Sequence, residues 1–335
     1  MKIAIHHTLG SYSDRWIQYC NEKQIHYKIV NAYNPDIVDQ VSDCTAFMWN
    51  HHHANYRDVL FAKQLLFSLQ TKGLKVFPDF YTTWHFDDKV GQKYLLECIG
   101  APLVPSYVFY SKKEALAWIK TTKFPKVFKL RGGAGSANVK LVNSKKQARK
   151  MVGKAFGSGF SQFDRLGYLK ERYCRFRAGK DSFLGVLKGI ARLVVPTEFA
   201  KYHAPEKGYV YFQDFISDNN YDFRVKVVLG RCWAFRRKVR KRDFRASGSG
   251  LLDFNINAIP LSMVEIAFKT TQQLHLQSVA FDFVMKGNAP LITEMSYGFG
   301  IDEGECDNGY WTPDLVWHED AFCPQDLMVE QLLRQ

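Results

Sequence analysis

Long apolar runs are missing from this chain. No stretch of its 335 residues approaches the roughly 20 apolar residues of a membrane-spanning helix, which excludes a helical span. A signal-peptide pattern is missing too, because Met1-Lys-Ile-Ala-Ile-His6 opens directly as a strand. The seven cysteines (Cys20, Cys44, Cys98, Cys174, Cys232, Cys306, Cys323) are scattered and never form a Cys-x-x-Cys pair. That excludes a disulfide frame and a cysteine zinc site, and it predicts reduced thiols in a cytoplasmic protein. There are no internal repeats and no low-complexity tracts. What is present is 46 % hydrophobic residues, enough for a large core divided among two or three domains, and a net charge of +13. The charge favours anionic partners such as nucleotides, acidic substrates, nucleic acid or anionic glycans.

Residues 1 to about 85 alternate short apolar strands (Lys2–Ile5, His26–Val30, Thr45–Trp49) with helical patterns (Asp14–Asn21, Val59–Leu69), the logic of a small parallel sheet. A helix over Val90–Ile99 stops at Gly100, Pro102 and Pro105. A strand at Tyr107–Phe109, a helix at Lys113–Lys120 and a pair of strands around a glycine loop follow. Phe160 to Lys207 sets ten cations against five acids, a net of +5, and reads as two or three basic amphipathic helices with a solvated face. After Gly208 the pattern turns to strands (Tyr209–Gln213, Asp222–Val228, Cys232–Val239), then a helix at Val264–Leu274, a hairpin, and a last helix at Pro324–Leu333.

The hairpin runs from Ser278 to Ser296 around Gly287-Asn288. A loop of Gly287 to Ala289 would pair Lys286 with Pro290 and set Asp282 opposite Glu294, with Ser296 on the same face. A two-residue loop would put Glu294 on the other face. Facing carboxylates repel; a divalent cation between them removes the conflict, and magnesium with nucleotide phosphates is the usual tenant of such oxygen sites. A second constellation is Lys129-Leu-Arg131-Gly132-Gly133-Ala-Gly135-Ser136, a glycine loop between two strands. Its glycines let backbone N–H groups approach phosphate oxygens while Lys129 and Arg131 neutralise charge. No Gly-Lys-Ser/Thr ends it and no helix follows, so it is neither a Walker loop nor a dinucleotide fingerprint. The third is Arg236 to Arg245, seven cations in ten residues. A strand over Cys232–Val239 turns some of them inward, where arginines need anionic partners.

Together these pieces resemble the ATP-grasp superfamily, the fold of D-alanine–D-alanine ligase, glutathione synthetase and the ribosomal-protein glutamate ligases, over roughly residues 87 to 300. The resemblance implies an α/β (α+β) chain in which two α+β subdomains clasp ATP. Its segments are an N-terminal βαβ domain over 1–86, a central lid subdomain over 87–208 carrying the basic insert at about 160–207, and a C-terminal subdomain with the metal site over 209–335. It implies that Lys89 and Lys129 bind ATP, with Arg131, Gly132, Gly133, Gly135 and Ser136 forming the phosphate flap. Gln213, Asp214, Phe215 and Ile216 match the segment whose backbone holds adenine, and Asp222 opens the next strand motif, Asp222-Phe-Arg224. Arg237 and Arg245 look like the phosphate and acyl-phosphate arginines, and Asp282 and Glu294 like the metal acids. Ser296 stands where the family usually has asparagine as the third metal ligand, a place its hydroxyl or a water can fill, and Ser247 replaces the asparagine expected after the Phe-Arg motif.

The implied activity is an ATP- and Mg2+-dependent carboxylate–amine ligase, with Mn2+ able to replace Mg2+. It would join a small-molecule, peptide or glycan carboxylate to an amine acceptor through an acyl phosphate. An ATP-grasp phosphotransferase and a nucleotide-binding module with weak or no turnover are the alternatives, with nucleic acid binding behind both. A homodimer is compatible with the sequence. His51-His52-His53, His6-His7 and Trp84-His85 fall at strand ends, and read equally as substrate contacts or as polar loops. Adjacent histidines alternate direction and do not suit a single zinc ion. The stretch Tyr297 to Glu305 with Tyr310-Trp311 and Trp317-His318 is aromatic and acidic, and reads equally as an acceptor platform or as packing.

Overall fold

The computed structural model describes residues 1–133, 138–161, 169, 172–173, 176–177, 182–194, 203–239, 244–246 and 250–334. Gly135, Ser136, Ser247 and part of the basic insert lie outside the described residues. The described strands are β1 (Lys2–His6), β2 (His26–Val30), β3 (Ala46–Trp49), β4 (Lys75–Phe77), β5 (Ser106–Phe109), β6 (Lys126–Lys129), β7 (Lys140–Val142) and β8 (Val210–Asp214). They continue as β9 (Tyr221–Val228), β10 (Arg231–Lys238), β11 (Leu252–Asp253), β12 (Ser278–Lys286), β13 (Ala289–Ser296), β14 (Tyr310–Trp311) and β15 (Trp317–His318). The chain divides into two compact units, one of residues 1–86, 91–103 and 218–335, the other of 87–90 and 104–217.

The first unit holds two of the sheets. The parallel sheet β2-β1-β3-β4 is covered on both faces, which is why its strands read as unbroken apolar runs. Ile3, Ile5 and Met48 pack with Trp16, Phe77, Met328 and Leu332, while Ala4, Phe47 and Trp49 pack with Leu66 and Leu69. The antiparallel sheet runs β13-β12-β9-β10-β14-β15, with β11 added to β10. Its apolar face (Val225, Val227, Val279, Phe281) rests on Met263, Val264 and Ala267 of the helix Leu261–Gln273. Alternation sends Asp222, Arg224 and Lys226 to the opposite face.

The second unit is built on the antiparallel sheet β5-β8-β6-β7. Phe128, Val210 and Phe212 of this sheet are buried with Ala115 and Ile119 of one helix and Ala148 and Val152 of another. Of the basic insert, the helix Phe183–Val194 is described. The α/β class read from the sequence holds. Strands β4, β11, β14 and β15 were not foreseen, because two or three residues are too few to show a period.

The hairpin turn differs from expectation. Lys286 pairs with Ala289 and Met285 with Pro290, so the loop is only Gly287-Asn288. Gly287 has φ +61°, as the first position of a II′-type turn takes glycine. This turn alone would set Asp282 opposite Thr293. The register instead shifts between Asp282 and Phe283, leaving Thr293 as an extra residue, and Asp282 pairs directly with Glu294. The Thr293 hydroxyl donates to the Asp282 carbonyl oxygen at 3.0 Å.

Candidate functional site

In the first unit, β9, β10, β12 and β13 present one polar face. The register places Arg224 beside Asp282 and opposite Phe235, Asp222 opposite Arg237, Asp282 opposite Glu294, and Ala280 opposite Ser296. Arg224 grips the Asp282 carboxylate through Nε and Nη2, which donate to its two oxygens at 2.8 and 2.9 Å. Arg237, only 5 % exposed, grips Asp222 at 2.7 Å twice and reaches Asp282 at 3.1 Å. Burial would push the Asp282 carboxyl up, but Arg224 and Arg237 outweigh it and hold Asp282 well below the usual carboxylate range. For Asp222 burial wins over Arg237, and its carboxyl is pushed up. The result is a largely buried row of acids and arginines in which Asp282 stays ionised. Arg236, by contrast, pairs with Asp253 at 2.6 Å and stacks over Tyr221, and Lys238 is exposed. The inward and outward split expected for the basic run is therefore present in its described part.

The carboxylates Asp282 and Glu294 are hard oxygen donors on directly facing positions, which suits Mg2+ bound by one or two carboxylates plus phosphates. Among the described residues no group of three or more His, Cys, Asp or Glu is placed to hold a metal. The Ser296 hydroxyl donates to the Gly298 carbonyl oxygen at 3.1 Å. Beyond Ser296 the chain is pinned. Tyr297 Oη donates to the His51 carbonyl oxygen at 2.6 Å, and Tyr12 Oη donates to that of Phe299. Lys226, wholly buried, donates to the Gly300 carbonyl oxygen at 2.8 Å and to both Glu305 oxygens at 2.6 and 2.8 Å. Trp233 Nε1 donates to Glu305 at 3.1 Å. His51 is buried against Thr83 Oγ1 at 2.5 Å, and His6 accepts the Ala32 N–H at 2.9 Å. Burial pushes both imidazoles down, towards the neutral form.

The second unit carries the glycine loop. Lys89 Nζ donates to the Gly133 carbonyl oxygen at 2.7 Å, and its backbone N–H donates to that of Arg131 at 3.0 Å. Asp87 accepts the Gly133 N–H at 2.8 Å. Glu206 accepts the N–H groups of Arg131 and Gly132 at 3.2 Å each, Tyr209 Oη accepts that of Arg131 at 2.6 Å, and Tyr209 Oη itself donates to Glu206. Since Lys129 pairs with Tyr211, these two side chains continue the β6–β8 ladder past its last backbone pair. The described root of the loop thus gives its N–H groups to the protein's own acceptors. Lys129 is buried at the end of β6. Gln213 is buried on Ser106 Oγ at 3.0 Å, Asp214 pairs with Lys126 at 2.5 Å, and Phe215 and Ile216 continue half-buried beyond β8. Arg245 is half-buried.

Glu206, Tyr209 and Asp87 were missed from the sequence, as were Arg224 as a partner of Asp282 and the Lys226–Glu305 pair. Arg224 was legible in principle, two residues from Asp222 on one strand face. Nothing local marks the others.

No protein-family model matches the chain, and no curated protein matches it. Solved structures do. A RimK-domain ATP-grasp protein from Sphaerobacter thermophilus superposes with a TM-score of 0.55 at 15 % identity, over 90 % of this chain and 92 % of that one. D-alanine–D-alanine ligase from Bacillus anthracis, complexed with ATP, matches with a TM-score of 0.55 at 13 % identity, over 100 % and 97 %. The ATP-grasp ligase PsnB, complexed with a minimal precursor, matches with a TM-score of 0.56 at 12 % identity, over 99 % and 98 %. With full-length matches of this kind across divergent sequences, the chain has the ATP-grasp fold.

Proposed function

We propose that this protein is an ATP- and Mg2+-dependent carboxylate–amine ligase. The observation that carries the reading is the facing pair Asp282 and Glu294, with Arg224 and Arg237 held on the same sheet face. Structural neighbours solved with ATP, or with Mg and ADP, support it. Asp282 and Glu294 would hold Mg2+, which when bound supplies charge neutralisation for phosphate oxygens. Lys89, Lys129, Arg237 and Arg245 would neutralise charge on the transferring phosphoryl group. Gln213 to Ile216 would hold the adenine, and Asp222 would act by orienting Arg237. The substrate carboxylate attacks the γ-phosphorus, giving an acyl phosphate and ADP; the amine then displaces phosphate and forms the amide. We assign this chemistry to an N-terminal segment over 1–86, a lid segment that begins at residue 87 and includes strand β8, and a C-terminal segment after it that carries the metal acids.

The testing experiment is turnover with Mg-ATP, pooled carboxylates and hydroxylamine. Hydroxamate together with ADP and free phosphate is the expected result. ADP with a phosphorylated acceptor would make the protein a phosphotransferase, and nucleotide binding without ADP would make it a binding module; either would sink the ligase reading.

The loop root yields a second expectation. Tyr209→Phe removes the acceptor of the Arg131 N–H and the donor to Glu206, a loss of about 1 kcal/mol. Mg-ADP affinity measured by calorimetry should fall about five-fold. Unchanged affinity would show that the loop holds its place without this side chain.

A further inference from the structure

The most uneven charge distribution in the chain lies after the hairpin turn. From Gly287 to Leu333 there are ten acidic residues and no lysine or arginine, within a protein of net charge +13. Part of this acidic stretch lines a cavity in the first unit. Its volume is about 460 Å3, and its walls include Phe254, Trp317, Asp307, Asn308 and Glu319.

The cavity's position follows from the sheet. Strand β10 is paired by β14 only at Cys232 and by β11 only at Arg236 and Arg237. The lining residues come just after β11, just before β14, and from β15 and the residue following it. Leu252 pairs with Arg237, and Phe254, two residues on, packs its ring 5.5 Å from Phe235. Phe254 thus links the cavity to the sheet face that carries Arg237 and Asp282.

We propose that this cavity binds the protonated primary amine of a ring-bearing ligand. Two carboxylates supply charge and hydrogen-bond acceptors, Asn308 adds an amide, and Phe254 and Trp317 add aromatic surface of the kind that suits an ammonium group and a ring. A hydrated metal ion has no use for aromatic walls, and the described residues hold no group of three metal-ligating side chains here. An anion, favoured by the protein's overall charge, is repelled. In a carboxylate–amine ligase such a cavity is the acceptor pocket, a role that rests on the ligase reading; the cavity's ligand chemistry does not.

The probes are benzylamine and its neutral counterpart benzyl alcohol, titrated into full-length protein with 15N-labelled tryptophan. The Trp317 indole signal would be assigned from Trp317→Phe. Saturable shifts with benzylamine, at least ten-fold weaker binding of the alcohol, and at least ten-fold weaker benzylamine binding by Asp307→Asn/Glu319→Gln with Mg-ADP affinity unchanged are the expected results. Equal binding of amine and alcohol, undiminished binding by the double variant, or a response to calcium but not to benzylamine would overturn the proposal. In turnover, the double variant should raise the KM for primary amines at least ten-fold and leave the KM for ATP unchanged. An unchanged amine KM overturns the acceptor role alone. Absence of amide formation by the unmodified protein overturns that role together with the ligase reading, while the titration still decides what the cavity binds.

Discussion

Glu294→Ala should lower kcat by about 100-fold or more while the protein stays folded. Losing one preorganised electrostatic contact to a transition state costs roughly 10²–10³ in rate. Here the lost group is one of two facing carboxylates on β12 and β13. The arginines already bound to Asp282 cannot replace it, because they carry the wrong charge for a metal ligand. Glu294→Asp keeps the carboxylate but shortens its reach, and should recover part of the loss. Steady-state ADP release at saturating Mg-ATP measures both variants, with circular dichroism as the folding control. A Glu294→Ala protein that turns over normally would remove the mechanism proposed here.

The second large effect concerns stability. Glu305→Ala leaves the Lys226 ammonium, wholly buried, without its anion. Removing one partner of a buried ion pair typically costs about 3–5 kcal/mol, a large share of a domain's total. Lys226 has no water to turn to: the rings of Phe235 and Phe299 lie 5.0 Å away and that of Trp233 5.8 Å. Burial already lowers the Lys226 pKa against the pull of Glu305. Urea unfolding monitored by tryptophan fluorescence should show the loss. The double variant Lys226→Met/Glu305→Gln removes both charges and should be more stable than Glu305→Ala. If the double variant is the worse of the two, the cost lies in packing and not in the stranded charge. Because the pair also anchors Gly300, six residues after Glu294, Glu305→Ala should reduce turnover as well.

The hairpin shows how far reading along the chain carries. Alternating apolar residues marked β12 and β13, and Gly287-Asn288 marked the turn. The facing of Asp282 and Glu294 was inferred with a loop one residue too long. What restores it is the extra residue Thr293, and the cause is burial. Ile292 and Met295 both enter the core on the helix Leu261–Gln273, yet they are three positions apart. A regular strand turns such residues to opposite faces, so one residue must be inserted between them. That insertion returns Glu294 and Ser296 to the polar face. The clue was present in the spacing, but only a known core face gives it meaning.

Elements whose cause is local were legible from the chain alone. The parallel strands are continuous apolar runs, the helices carry their period over ten or more residues, and glycine and proline mark their ends. Short strands such as β14 and β15 exist only because a neighbouring edge offers hydrogen bonds. The same division holds for the candidate site. Lys89, Lys129, Asp282 and Glu294 stand in recognisable motifs, whereas their supports come from far along the chain. Glu206 is 75 residues from Arg131, and Glu305 is 79 from Lys226. A buried charge or a loop N–H needs a partner of the right kind, and many acids in the chain would serve. Which acid does so depends on where the sheets bring the backbone, a long-range outcome of burying apolar surface that no local pattern encodes.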